Sequence, residues 1–219
     1  MATARNLHPE EAAAIKTVTF EYVNGVLTVL SPVVLMSATD QIAIGNSPSS
    51  TASITLVFAA NPPGVANPPG ASLFSHLANP LTLAPGVGTG LMTPSVSNGA
   101  VNYIVQVNGT QVGDTYAIQV GSGPLYVTVN GTTCTPQTVV VPYQGAIEFF
   151  STDGANHSIT WNANAGNPFP GLTTIYPTLN NPPTKPYQET LPVNNFTYTV
   201  GPSPIATGGS GTVKVKSAS

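Results

Sequence analysis

Residues 139–161, VVVPYQGAIEFFSTDGANHSITW, decide how the rest of the chain is read. Val139–Val141 and Ala146–Phe150 are apolar runs of strand length, separated by a turn at Tyr143–Gly145. A polar loop follows and leads through His157 into a third strand candidate, Ser158–Trp161. No segment after Lys16 carries a convincing 3.6-residue period, so the fold class is all-β.

Toward the N-terminus the same pattern recurs. Strands are predicted at Thr17–Tyr22, Val26–Leu30, Gln41–Ile44 and Ser53–Phe58, then at Val101–Val107, Asp114–Val120 and Leu125–Val129. Asn24-Gly25 and Asn108-Gly109 are strong hairpin signals. Toward the C-terminus, closing strands are expected at Phe196–Val200 and Thr212–Lys216. Two long loops rich in proline interrupt the strands, at Ala59–Asn98 and Asn162–Gln188. Loops of this length in a compact domain are usually functional or disordered. Leu73-Phe74 and Leu81–Leu83 give the first one apolar anchors, so it is expected to be draped and ordered, with His76 as a loop or surface residue. Before the first strand, Met1–Leu7 is read as a loose arm and His8–Lys16 as a short helix. Pro9 suits its first turn, the two glutamates its positive end and Lys16 its last turn.

The two halves echo one another. Glu21-Tyr22-Val23-Asn24-Gly25 faces Val127-Thr128-Val129-Asn130-Gly131, and Ala52-Ser53-Ile54-Thr55-Leu56 faces His157-Ser158-Ile159-Thr160-Trp161. Tyr116–Gly121 and Phe196–Gly201 both run into Val-Gly. The common order predicts a duplication: an arm and helix over 1–16, a first domain over 17–124 and a second over 125–219.

Only 6% of the 219 residues are charged, against about 25% in an ordinary soluble domain. Between Asp40 and Glu148 the sole formal charge is Asp114. With 41% apolar residues the chain can still build cores, and its polar surface must be Asn, Thr, Ser and Gln. Such a surface repels its neighbours weakly and favours close protein–protein packing or a secreted life. Five basic residues and a net charge of −3 make no basic patch, which argues against nucleic acid as a partner. A single cysteine, Cys134, excludes an internal disulfide framework and is expected to be a small buried side chain. The greasiest run, Leu27–Met36, is broken by Ser31-Pro32 and is too short to span a membrane. The first residues lack the layout of a secretory signal. A leader already removed, another export route, and an intracellular life all remain open, with an extracellular or cell-surface setting expected from composition.

Tyr126 to Lys216 combine an opening YVTVNGTTCTPQTVVVPYQGAIEFF, the loop-plus-histidine STDGANHSITW, and a closing hairpin FTYTVGPSPIATGGSGTVKV. This half resembles the cupredoxin family, the small sandwich domains of blue-copper proteins. The resemblance implies two tandem Greek-key β-sandwiches. In that family the histidine opening the strand after this loop is a copper ligand. A cysteine ends the next-to-last strand, a second histidine follows it, and a methionine lies before the last strand. His157 fills the first position, but Val200 stands at the cysteine, Ser203 at the second histidine, and Gly208-Gly209 at the methionine. A blue-copper site needs a thiolate and two imidazoles, so no cofactor is expected. Cys134 lies on the wrong strand by this alignment, and Ala52 replaces even the histidine in the first half.

His157 itself has three readings: a loop anchor bonded to Asp153 or to backbone, a contact to a ligand, or a metal ligand completed by a neighbouring subunit. Glu148 lies within a strand and Asp153 in a Thr-Asp-Gly turn, where an aspartate mainly orders backbone. No catalytic motif is present, so an enzyme is not expected. Sequons at Asn108, Asn130, Asn156 and Asn195 are unsurprising in a chain this rich in Asn, Ser and Thr. The expected role is a non-catalytic structural or assembly protein that associates with itself or with other subunits, with the two long loops as contacts. The rival is a carbohydrate- or peptide-binding module, with Trp161, Phe169, Tyr176 and Tyr187 as an aromatic platform.

Overall fold

A computed structural model describes residues 13–60, 73–164, 166–169, 172–175, 177, 194–202 and 208–217. The first half contains β1 (Ile15–Val23), β2 (Val26–Leu30), β3 (Val33–Met36), β4 (Gln41–Asn46), β5 (Ile54–Phe58), β6 (Leu81–Leu83), β7 (Gly99–Val107) and β8 (Thr110–Val120). The second contains β9 (Leu125–Asn130), β10 (Thr133–Thr135), β11 (Thr138–Pro142), β12 (Ile147–Ser151), β13 (His157–Trp161), β14 (Thr174–Ile175), β15 (Asn195–Pro202) and β16 (Gly209–Lys216). Every strand predicted from the sequence is present. β3, β6, β10 and β14 are additional, and each is only two to four residues long.

Each half is a sandwich of a three-stranded and a five-stranded sheet. The orders are β2-β1-β4 with β3-β8-β7-β5-β6, and β10-β9-β12 with β11-β16-β15-β13-β14. Numbering the second half from its own first strand gives the same two orders, parallel pairs included: β1/β4 and β3/β8 answer to β9/β12 and β11/β16. Strand alternation supplies the cores. In β1 the inward Val18 and Phe20 are buried, and in β9 the inward Leu125, Val127 and Val129. Phe20 meets Tyr103 edge-on across the first sandwich at 6.2 Å, and Phe149 meets Tyr198 across the second at 5.3 Å.

Alternation fails where the halves meet, and for a physical reason. Tyr116–Val120 of β8 and Val139–Pro142 of β11 are buried without a break. One face of each strand serves its own core and the other packs against the opposite half, so no residue is left to face water. Gln119, fully buried, spans this seam: its Nε2 donates to Gly123 O at 2.6 Å and its Oε1 accepts from Ala146 N at 3.2 Å. Nearer the surface, Lys214 Nζ reaches both Asp114 oxygens at 2.8 Å.

Three expectations need correction. Ile15 and Lys16 are strand, not helix: they pair in parallel with Gln41 and Ile42, while residues 8–12 of the expected helix lie outside the described residues. A helix that short has too few hydrogen bonds to resist strand pairing. Next, the Val-Gly ends of Tyr116–Gly121 and Phe196–Gly201 are not equivalent, because β8 answers to β16 and β15 to β7. Finally, the first hairpin is two residue pairs longer than the second beyond Thr19↔Leu30 and Thr128↔Thr135, so Asn24-Gly25 and Asn130-Gly131 do not superpose. The Ala52/His157 echo does keep step with the sheets.

Part of the first long loop is ordered against the sandwich. Leu73, Phe74 and Leu83 are buried, and Met92 and Val87 hydrogen-bond along β4. His76 is exposed. No helix among the described residues is long and apolar enough to cross a membrane.

Candidate functional site

The loop between β12 and β13 is built around one carboxylate. Asp153 Oδ1 accepts from Ser151 Oγ at 2.8 Å and from Ala155 N at 3.0 Å, closing an Asx-type turn that Gly154 completes at φ 78°. Its Oδ2 accepts from Gly131 N at 2.7 Å, which ties the loop to the β9–β10 turn. The same Oδ1 lies 2.9 Å from Nε2 of His157, an imidazole only 2% exposed. These donors, the His157 contact foremost, hold the Asp153 carboxyl well below the ordinary carboxylate range. Of the readings open to His157, the geometry selects the loop anchor. The roles of Gly131 and Ser151 had no sequence signal beyond the turn residues around them.

A copper ion finds no fitting donor set here. His157 commits Nε2 to Asp153, its Nδ1 is buried with no hydrogen-bond partner, and its strand neighbours are Pro202 and Ile175. Val200 is a fully buried core residue paired with Ile159 and Gly209. Gly209 backs directly onto the Thr132 carbonyl. Ser203 lies outside the described residues. Cys134 is on the three-stranded sheet, and burial pushes its thiol up, away from the thiolate form that nucleophiles and metal ligands need. Among the described residues no three His, Cys, Asp or Glu side chains come together as a metal site.

The expected aromatic platform is not assembled at the surface by the residues that are described. Phe169 is 1% exposed and stacks edge-on against Trp161 at 5.4 Å; Trp161 also meets Tyr198 at 5.2 Å and Phe149 at 6.3 Å. These rings close the end of the second core. Tyr176 and Tyr187 lie outside the described residues.

Glu148 is a buried acid with a different fate. It sits on β12 opposite Tyr126, on the face away from Ile147 and Phe149, and is 7% exposed. Loss of hydration pushes its carboxyl up to about 7 from an ordinary 4.5. The folded state therefore binds the proton more tightly than the unfolded chain. Glu148 contributes its full stability below about pH 4.5 and loses it as pH rises to about 7. Glu148→Gln is expected to remove this slope and raise unfolding stability at pH 8 by roughly 1–3 kcal/mol, as read by urea titrations at pH 5 and pH 8.

No protein-family model matches the sequence, and no curated protein matches it. Among solved structures the chain is similar to a multicopper oxidase at 12% identity and a TM-score of 0.32, over 92% of this chain and 88% of that one. A likeness this loose carries no argument about function.

Proposed function

We propose that the chain is a non-catalytic structural subunit that self-associates in a surface or extracellular assembly. It is built from a duplicated cupredoxin-like sandwich whose copper ligands have been replaced. The observation that carries this reading is the outer face of the β2-β1-β4 sheet. Alternation and register place Ile15, Thr17, Thr19, Glu21 and Val23 of β1 on that face. Val26, Thr28 and Leu30 of β2 join them, with Gln41, Ala43 and Gly45 of β4. Ile15, Val26 and Leu30 are 62%, 63% and 61% exposed, and Glu21 is the only formal charge on the face among the described residues. β2 is also an edge strand without the lysine or proline that commonly protects such edges. A nearly uncharged sheet face that carries three exposed aliphatic side chains beside an edge strand favours association.

Within the long loops, Leu73, Phe74, Leu83 and Phe169 turn into their own chain. Sedimentation velocity over a concentration series tests the reading. Species larger than the 22.4 kDa chain are expected at micromolar concentration; a single 22.4 kDa species up to roughly millimolar concentration overturns it.

A further inference from the structure

We propose that the open cleft between the two halves binds a small neutral molecule of one ring with one hydroxyl, a phenol being the simplest. The ring lies against Val57 and Ile104 of the first sandwich and Pro136 of the second half, and its O–H donates to Asn102 Oδ1.

The cleft follows from how the halves meet. Val57 of β5 pairs with Ile104 of β7. Their strand neighbours Leu56, Phe58, Tyr103 and Val105 are in the core, so alternation turns Val57 and Ile104 to the outer face of the first five-stranded sheet. Asn102, two residues along β7, shares that face. The second half reaches over it with Thr135, which ends β10, and Pro136, which begins the connection to β11. The halves do not close on one another here. They leave a cleft of about 210 Å³ lined by Val57, Asn102, Ile104, Thr115, Thr135 and Pro136. A neighbouring one of about 270 Å³ shares Ala59, Asn102, Thr135 and Pro136 with it.

Asn102 lines both and is only 6% exposed. Its Nδ2 donates to Tyr126 O at 3.4 Å. A carbonyl takes only a donor, so this contact fixes which way the amide is turned. Oδ1 is left buried without a hydrogen-bond partner. A buried acceptor without a donor is costly, and a hydroxyl brought into the cleft supplies one. Among the described residues no charged side chain lines either cleft, so an ion would lose its hydration there with nothing to replace it. The lining therefore selects a neutral ligand that donates. Size selects one ring: a closed aliphatic cavity of about 150 Å³ holds benzene, and 210 Å³ accommodates a ring that carries a hydroxyl. Clefts where two domains meet are common seats for such ligands.

Saturation-transfer NMR with phenol and with anisole, whose methylated oxygen cannot donate, tests the site. Both walls of the cleft belong to one chain, so the readout is independent of self-association. Phenol is expected to bind saturably with a Kd of about 1 mM or tighter, and anisole about 5-fold or more weakly. Ile104→Trp fills the cleft from a half-buried position and is expected to abolish phenol binding, with circular dichroism checking that the variant folds. Ala59→Trp, at an exposed lining position, replaces it if it does not fold. Phenol that fails to saturate below about 10 mM overturns the site. So does anisole binding as tightly as phenol, or unchanged phenol binding to the folded tryptophan variant.

Discussion

Asp153→Ala is expected to lower unfolding stability by about 2–4 kcal/mol, measured by urea denaturation at pH 7. The carboxylate accepts from His157, Ser151, Ala155 and Gly131. Charge-assisted bonds are the stronger kind, and His157, 2% exposed, is left with neither ring nitrogen partnered. Asp153→Asn keeps the shape and one acceptor oxygen and should cost less. The pH dependence has a definite sign. Because the folded carboxyl is depressed, its contribution is present above the ordinary value of 3.8 and is lost as pH falls below it. The alanine variant should therefore show a shallower loss of stability in acid than wild type. A variant as stable as wild type at pH 7 contradicts the loop-anchor assignment.

Phe149→Ala is expected to cost about 3–5 kcal/mol, the range for truncating a buried aromatic ring. Phe149 packs edge-on against both Trp161 and Tyr198, at interplanar angles of 85° and 89°. Its removal opens a cavity where the two sheets of the second sandwich meet through aromatic rings. The single tryptophan, Trp161, reports the event directly. Its emission should shift to the red in the folded variant as water gains access to the indole, with the midpoint of denaturation falling at the same time.

Several strands were legible because one face of each is wet. β1, β4 and β5 alternate buried and half-exposed residues, and period-two reading finds them. Tight turns such as Asn108-Gly109, with φ of 51° and 77°, fixed the hairpins from their residue types alone. The short strands escaped for the opposite reason. β3 reads VVLM and is buried almost throughout, so it carries no alternation, and β14 is two residues long. The seam was invisible for the same reason. Val139–Val141 reads as a strand whichever half it packs against, and nothing near Gln119 in sequence announces a bridge to Ala146.

At the site, the His157–Asp153 contact was one of three readings, and the turn residues favoured it without excluding the others. For Phe169, composition does not say which way the ring turns. Phe169 sits in a proline-rich loop that suggests exposure, yet the loop folds it onto Trp161. The helix over His8–Lys16 failed at Ile15, where a β-branched residue joined a parallel pair with β4.

The account stands on a sandwich whose one histidine at the expected ligand position is already spent on an aspartate. Titration of the purified chain with copper, followed by metal analysis after gel filtration and by visible absorption, probes that claim most directly. The expected result is well under one copper retained per chain and no intense visible band. One copper held tightly per chain, lost in a His157→Ala variant, would contradict it.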